Sequence, residues 1–557
     1  MIPLGPTYPA SLRGRLMRLG SALAREARPV DRLVSPLRRP LDRAWYRRSG
    51  RVRELSTLGE TVSRAEAGAR SPRVLVVSLR MWTHHTAYES VIANALRLRG
   101  ADVVFLTCGG GQPICEVGWG RRVWPRPCDR CAWFTDRVAA AGRVWHERLA
   151  DELPWGSSCA DAPRTPSQTS LEDTESTAAS VAWFAKSADP ASAPEGPAIE
   201  RDFAVAAEGV AQAFERIVDR VAPDVVFTLN GLFAAEQAMR TVADRRGLPV
   251  VTYEIAPRKD ALIFGRDFPA PDMVMDDLAD EQARRPLSVD EDEALDALLR
   301  ARVSGTGAHE RYFGDALQHE GEAVRTALEL PTGTRVISAF TNLSWDTALL
   351  GKDVAFESQF DWLAETCRIV GGLSDTTLVI RVHPAEKRWG TAQPVERELS
   401  RRLGPLPSNV MLVHPERPLS SYGLLALSDL VLCYATTVGL EAAVRGIPVA
   451  VAALTHYRGR GFTTDIASRS HLEEVLAEPS TISAEQIDLA RRYAFAFFFR
   501  LMVPFRHVVT EHGALTHVPV SAEELTPGRD PLLDFLCDRI LGGGDLSLPP
   551  HLALVGS

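Results

Sequence analysis

Residues 428–465 read SDLVLCYATTVGLEAAVRGIPVAVAALTHYRGRGFTTD. Leu430 to Cys433 is a short apolar run of the buried-strand type. Thr436 and Thr437 are good N-cap residues for a helix that follows at once, and Gly439 lets a backbone or ligand come close. A helix opening after a strand offers unpaired N–H groups and the positive end of its dipole, a seat for phosphate. Glu441 falls in the first turn, where a carboxylate can reach a ribose hydroxyl beside that phosphate. Gly446 and Pro448 end the helix, and Val449 to Ala453 starts the next strand. The stretch is therefore strand, turn, helix, strand and a Gly-rich loop. From these residues alone, a ligand-binding turn and an ordinary capped crossover both remain open.

Working outward, the same alternation recurs on both sides. The strand Arg335 to Phe340, a helix near Trp362 to Gly371, the strand Thr377 to Val382 and a short strand Val410 to Val413 precede the quoted block. Further upstream, RVLVVSL (73–79), a helix over 84–99 and DVVFLT (102–107) form a β-α-β unit of parallel-sheet length. A helix from about Ala204 to Val221, the strand Asp224 to Leu229, another helix and the strand Pro249 to Tyr253 continue it. These patterns predict an α/β chain with two Rossmann-like domains. The expected division is a basic N-terminal arm over 1–70, a first domain over 71–300, a second over 301–485, and a crossing-back helix and tail over 486–557. Residues 154–200, rich in Ser, Ala, Pro, Thr and acids, read as a surface insertion or partly disordered loop.

Bulk composition fits that picture. The 557 residues are 45% apolar and 24% charged, with a net charge of −8. No apolar run is long enough to span a membrane, and arginines interrupt the N-terminus, so a cytoplasmic chain with reduced thiols is expected. Residues 1–50 hold 11 arginines and 3 acids, a net of +8, so the rest of the chain carries −16. SLRGRLMRLGSALAREA (11–27) sets Leu12, Leu16, Met17, Leu19 and Leu23 among arginines. Such a basic amphipathic helix can lie on an anionic membrane surface or pack on its own acidic body. Nucleic acid is excluded as a partner: the basic segment is short, has no Lys and few aromatics, and the body is acidic.

Several constellations could carry chemistry. Arg381-Val382-His383-Pro384 ends a strand, with Lys387 four residues past the histidine. Arg, His and Lys there can surround one phosphate, or the His can simply cap the strand end. Thr341-Asn342-Leu343-Ser344-Trp345-Asp346 follows the strand RVISAF. Asn342 and Ser344 can hydrogen-bond a nucleotide or sugar, and Asp346 is an acid/base or a helix cap. In the first domain, His84 and His85 follow the first strand, and Glu254 follows VVTY with Arg258 and Lys259 behind it. His85 or Glu254 could deprotonate an acceptor hydroxyl; helix capping and a surface ion pair are the structural alternatives. Asn230-Gly231 forms a similar turn after the strand DVVFTL. Cys108, Cys115, Cys128 and Cys131 have the spacing C-x6-C-x12-C-x2-C, which suggests a structural zinc, less readily an iron–sulfur cluster, or buried thiols. The other cysteines are scattered. Asp276-Asp277 reads as a solvated pair. There is no Walker A motif, no G-x-S-x-G elbow and no G-x-G-x-x-G fingerprint.

TTVGLEAAVRGIPV (436–449) followed by HYRGRGFTTD (456–465) resembles the donor-site block of bacterial capsule polysaccharide biosynthesis proteins, a family that includes Kdo transferases and related GT-B glycosyltransferases. RVHPAEK (381–387), TNLSWDTALLGKD (341–353) and CGGGQPICE…CDRC (108–131) look like that family's corresponding blocks, the last its Cys-bearing subset. The resemblance spans roughly residues 73–510. It implies a GT-B fold with two domains facing across a cleft and a terminal helix crossing back. It further implies transfer from a nucleotide-activated sugar, CMP- or UDP-type, to a glycan or lipid-linked hydroxyl acceptor, with no catalytic metal. His383 would face the donor phosphate, Arg381, Lys387, Thr436, Thr437 and Gly439 would complete that seat, and Glu441 would hold the ribose. His85, Glu254 and Asp346 would be the catalytic candidates beside His383. The first domain lacks a clear acidic-Gly pair of the kind Kdo transferases place beside the acceptor. Other GT-B activities fit the same residues: a polyol-phosphate transferase, a nucleotide-sugar epimerase, or a non-catalytic zinc-bearing scaffold.

Overall fold

A strand buried on both faces is apolar from end to end, and the strands at the centre of this protein are of that kind. The computed structural model describes residues 50–62, 71–118, 128–142, 144–156, 161–163, 165–166, 175–193, 195–308, 313, 321–478, 481–511, 514–518 and 521–556. The amphipathic-helix reading of residues 11–27 lies outside the described residues. In chain order the strands of the two large sheets are β1 (Arg73–Ser78), β2 (Asp102–Thr107), β3 (Trp145–Arg148), β4 (Val225–Leu229), β5 (Val250–Ile255), β6 (Ala261–Arg266), β7 (Arg335–Phe340), β8 (Thr376–Arg381), β9 (Val410–Val413), β10 (Leu430–Cys433), β11 (Val449–Val451), β12 (Thr464–Asp465) and β13 (Met502–Pro504). The helices used below are α1 (Thr83–Leu98), α2 (Cys128–Ala141), α3 (Glu175–Ala185), α4 (Gly196–Val221), α5 (Ala234–Arg245), α6 (Asp276–Ala283), α7 (Val289–Val303), α8 (Gln359–Gly371), α9 (Val438–Val444) and α10 (Ala484–Phe495).

The chain divides into two compact units. The first comprises Met1–Phe184, Ala193–Pro271 and Val503–Leu546. Its sheet has the order β13-β6-β5-β4-β1-β2-β3. β1 pairs in parallel with β2 on one side and β4 on the other, placing Val74 beside Val103 and Val225. β6 runs antiparallel to β5. The second unit comprises Ala185–Ser192, Asp272–Met502 and Ser547–Ser557. Its sheet, β12-β11-β10-β7-β8-β9, is parallel throughout. Its core gathers Ile337, Ala339, Trp362, Leu363, Leu378, Ile380, Leu430 and Leu432, all fully or nearly fully buried. Two Rossmann-like domains in succession, with a late segment of the chain rejoining the first, give the α/β fold of the GT-B class.

The divisions differ from those read from the sequence for a physical reason. α6 and α7 belong to the second unit, so the break falls at Pro271 and Asp272 instead of near residue 300. Within that unit, Arg491 of α10 donates to Asp292 and Asp296 of α7 (2.8 and 2.7 Å), and Arg492 donates to the Ala283 carbonyl at the end of α6 (2.9 Å). α7 and α10 each open on a capping box, Ser288 with Glu291 and Ser483 with Gln486. α10 runs into a buried π-helical turn at Ala496–Leu501, which leads directly into β13. The stretch 154–200 also holds more order than its composition suggests, since α3 lies inside it and α4 begins at Gly196, before Ala204.

Candidate functional site

In an open parallel sheet, ligands bind outside the carboxyl ends of the strands where the strand order reverses. In the second unit that point lies between β7 and β10, because the chain leaves β7 toward β8 on one side and later returns to β10 on the other. Three predicted blocks meet there. The His383 N–H donates to Thr341 Oγ1 (2.9 Å), tying the loop after β8 to the loop after β7. The Ala435 N–H donates to Asn342 Oδ1 (3.3 Å), tying the loop after β10 to the same place. Gln359, the first residue of α8, grips both backbone groups of Asn342: it accepts from the Asn342 N–H (2.5 Å) and donates to its carbonyl (3.2 Å). Asn342, Ser344, Asp346, His383, Thr436 and Thr437 are all half-buried.

His383 is set up as a donor. The Ala385 N–H donates to His383 Nδ1 (3.1 Å), so in the neutral ring the proton sits on Nε2. A histidine held in that tautomer offers an N–H to an anionic oxygen. Ser344 Oγ is buried and has no hydrogen-bond partner among the described residues. Such an orphaned hydroxyl is costly unless something else satisfies it.

Other expected members of the seat are used differently. Arg381 is only 2% exposed and donates to the carbonyls of His414 (3.1 Å) and Leu419 (3.2 Å), and burial lowers its guanidinium to about 10. Two of its donors thus hold loops, while its Nε is buried with no hydrogen-bond partner among the described residues. Lys387 is exposed and pairs with Glu416 (2.6 Å). Glu441 is 1% exposed and accepts from Arg302 of α7 (2.8 and 3.1 Å), with Tyr422 and Arg445 beside it. Its Oε1 is engaged by a buried cation, while Oε2 has no hydrogen-bond partner among the described residues. Gly439 does admit a close approach, but the approaching group is Tyr457. A Cβ at 439 would overlap Tyr457 Oη and stand 3.0 Å from its Cζ, and that phenol donates to the Thr436 carbonyl (2.6 Å). Thr437 stands at the helix start without a side-chain cap, while Thr436 Oγ1 accepts weakly from the Val438 N–H (3.4 Å).

Sequence reasoning missed Lys186. It lies in the stretch read as an insertion, yet residues 185–192 pack in the second unit beside the predicted blocks. Its Nζ sits 3.8 Å from the Trp345 ring centroid and 5.2 Å from that of Trp389, and its carbonyl accepts from the Ala392 N–H (2.8 Å). Burial pushes the amine down to about 6, against the pull of Asp346. No local motif marks such a residue; only an isolated Lys in an apolar stretch (VAWFAK, 181–186) hints at it.

In the first unit the reversal point lies between β1 and β4. There Arg80 is held by Glu116 (2.6 and 2.9 Å) and by Glu236 of α5, and all three side chains are buried. The guanidinium also lies over the rings of Trp82 (5.2 Å) and Phe233 (5.1 Å). This trio was not legible, because its members lie 36 and 156 residues apart. Asn230 takes a positive φ of 42° and accepts from the N–H groups of Leu232 (2.6 Å) and Phe233 (3.3 Å), so its side chain closes its own turn. His84 and His85 stand in the first turn of α1, their rings 4.3 Å apart, and His85 Nδ1 lies 3.3 Å from Tyr253 Oη. Glu254 is half-buried and accepts from the Ile255 N–H (2.8 Å). Arg258 is buried, which lowers its guanidinium to about 10.

The cysteines do not fit the zinc expectation. Among the described residues, no three His, Cys, Asp or Glu side chains are grouped to hold one ion. Cys131 Sγ instead accepts from the Met81 N–H (3.2 Å), and Cys108 Sγ accepts from Gln112 Nε2 (3.4 Å). Burial pushes the Cys115 thiol up to about 12.

No protein-family model matches the chain, and no curated protein matches it. Solved structures do. The chain is similar to KpsC of Thermosulfurimonas dismutans, a beta Kdo 2,4 transferase, at 14% identity over 55% of this chain and 87% of that one, with a TM-score of 0.34. It is similar to UDP-GlcNAc 2-epimerase from Neisseria meningitidis bound to UDP-GlcNAc, at 12% identity over 76% and 96% of the two chains, with a TM-score of 0.27. It is also similar to the glycosyltransferase SnogD from Streptomyces nogalater, at 16% identity over 77% and 95%, with a TM-score of 0.23. Kdo transferases, another glycosyltransferase and nucleotide-sugar epimerases are thus among the structures this chain resembles.

Proposed function

We propose that this protein is a glycosyltransferase of surface-glycan synthesis that takes its sugar from a nucleotide-activated donor seated on the second unit. The observation that carries the reading is the tautomer of His383. The Ala385 N–H on Nδ1 makes Nε2 a donor, at the strand end where the loops bearing Asn342 and Thr436 are tied together. A donor's phosphate suits that N–H, and the Thr436 and Thr437 hydroxyls can share it. Ser344, whose hydroxyl finds no partner among the described residues, would be satisfied by the nucleotide or sugar. The first unit's reversal point is filled by the Arg80–Glu116–Glu236 trio, which favours the second unit as the nucleotide's seat.

In this reading the acceptor oxygen forms its bond to the anomeric carbon as the bond to the donor phosphate breaks. The phosphate leaves with the electron pair and is stabilised by the His383 N–H. The acceptor proton passes to a base, for which His85 is the first candidate and Glu254 and Asp346 the others. A thermal-shift screen with CMP, UDP, GDP, dTDP and CDP names the nucleotide. His383→Ala should lose that shift and all transfer, at a cost of only about 1 kcal/mol in stability for one hydrogen bond. A folded variant with wild-type nucleotide binding sinks the assignment. Acceptor-dependent nucleotide release separates a transferase from an epimerase, which needs no acceptor, and from a scaffold, which releases nothing.

The arm supports a second element of the proposal, reversible attachment to an anionic membrane that carries lipid-linked acceptors. Each basic residue near such a surface adds about 1 kcal/mol, and residues 1–50 carry 11 arginines in a chain whose remainder is net acidic. The full chain should float with anionic liposomes at low salt and be released at high salt. A chain starting at Ser71 should stay behind; equal behaviour of the two removes the arm from membrane binding.

A further inference from the structure

We infer that Glu89, acting through Tyr253, sets which nitrogen of the His85 ring carries the proton, and is thereby a positioning residue for the base named above, on whose assignment this inference rests. Glu89 lies in the second turn of α1 and is 3% exposed. The Tyr253 hydroxyl, on β5, stands 2.9 Å from Glu89 Oε1 and 3.3 Å from both His85 Nδ1 and the His85 carbonyl oxygen. One phenol thus bridges a carboxyl group and an imidazole, all three buried in the first unit. The phenol ring is fixed by stacking on Phe227, with centroids 5.1 Å apart and planes 5° from parallel.

A single hydroxyl hydrogen serves only one of these acceptors at a time, and the imidazole nitrogen, unlike the carbonyl, can also donate back to the phenol oxygen. With Glu89 protonated, its O–H is given to the Tyr253 oxygen, the phenol hydrogen turns to His85 Nδ1, and the ring proton sits on Nε2. When Glu89 releases its proton to solvent, the carboxylate takes the phenol hydrogen. The Tyr253 oxygen then accepts from Nδ1–H, and Nε2 becomes the basic nitrogen. One proton leaves, and the imidazole stays neutral while its tautomer exchanges.

The groups around Glu89 place this exchange near physiological pH. Burial raises its carboxyl to about 8 and the like charge of Glu236 on α5 adds to that, while Ser78 of β1, Tyr253 and Arg80 pull the other way. Tyr253 also faces Tyr88 and Glu254, and Tyr88 faces Asp260 and Thr510. The His85 ring faces His84, Trp82 and Tyr88.

The test is a long-range proton–nitrogen correlation spectrum of the full chain labelled with 15N-histidine, with His85 assigned through His85→Gln. The His85 tautomer should move from Nε2–H toward Nδ1–H as the pH passes about 8, the Glu89 value. In Glu89→Gln the amide donates to Tyr253 and cannot ionise, so the step should be lost with Nε2–H retained throughout. Tyr253→Phe keeps the stack on Phe227 and should also abolish the step, which covers the case of a Glu89 variant that does not fold. A step of wild-type size in either folded variant, or none in the wild type, overturns the relay. The spectrum needs no transfer chemistry. Full transfer by His85→Gln, with the step present in the wild type, would instead overturn the base assignment alone.

Discussion

Glu441 illustrates how the same carboxylate can serve two purposes that only its surroundings separate. On the surface of α9 it could hold a ribose; here it is 1% exposed and bonded to Arg302, itself 9% exposed. Removing one partner of a buried ion pair strands the other charge at a cost of about 3–5 kcal/mol. Glu441→Gln should therefore lower unfolding stability by roughly 3 kcal/mol in urea titrations while leaving nucleotide affinity of the folded protein unchanged. A stable variant with weakened nucleotide binding would return Glu441 to the ribose. Arg381 gives two of its donors to loop carbonyls in the same way. At His383 the Ala385 N–H on Nδ1 defines Nε2 of the neutral ring as a donor. The motifs at Thr341–Asp346, His383 and Thr436–Thr437 were legible because each is local, a few residues at a strand end. Arg80, Lys186 and the Arg302–Glu441 pair were not, because their partners come from distant parts of the chain.

At the scale of elements, β1, β2, β4, β7, β8 and β10 were read to within a residue or two. Strands buried on both faces leave uninterrupted apolar runs such as RVLVVS and DVVFTL. β3 was missed because WHER is a half-exposed edge strand with no such run, and β13 because three residues carry too little pattern. The helix after β10 was expected to open a phosphate seat by means of Gly439. It is only seven residues long, and its glycine is required by Tyr457 packed against it. Gly439→Ala should thus destabilise the second unit by about 1–3 kcal/mol through overpacking. Tyr457→Phe in the same chain removes the overlapping hydroxyl and should recover part of that loss. If the alanine costs nothing in thermal unfolding, Tyr457 is not what demands the glycine.

At the scale of the whole molecule, the first unit is assembled from three separated segments. Residues 503–546 supply it with contacts of their own. The Phe505 N–H donates to the Asp260 carbonyl (2.7 Å), Arg99 pairs with Asp534, and Arg266 donates to the carbonyls of Arg539 and Gly544. Ending the chain after Met502 should therefore unfold the first unit, although most of that unit lies hundreds of residues upstream. Circular dichroism melts of the truncated protein should lose the transition that His85→Gln protein retains. A truncated protein with both transitions intact would show that the returning segment is dispensable.

The sequence by itself determined the α/β class, the order of most strands, two successive domains built on largely parallel sheets, and the strand-end loops that meet after β7, β8 and β10. All of these follow from short-range patterns: apolar runs, caps, and the rule that parallel sheets bind ligands at their carboxyl ends. Only the tertiary structure decided which polar residues in those loops are available and which are committed. It also decided where one domain ends, and that Glu89, Tyr253 and His85 share one hydrogen-bonded group. The reason is that burial and pairing are properties of what surrounds a side chain. In a fold whose neighbouring strands lie tens to hundreds of residues apart, those surroundings are not written beside the residue itself.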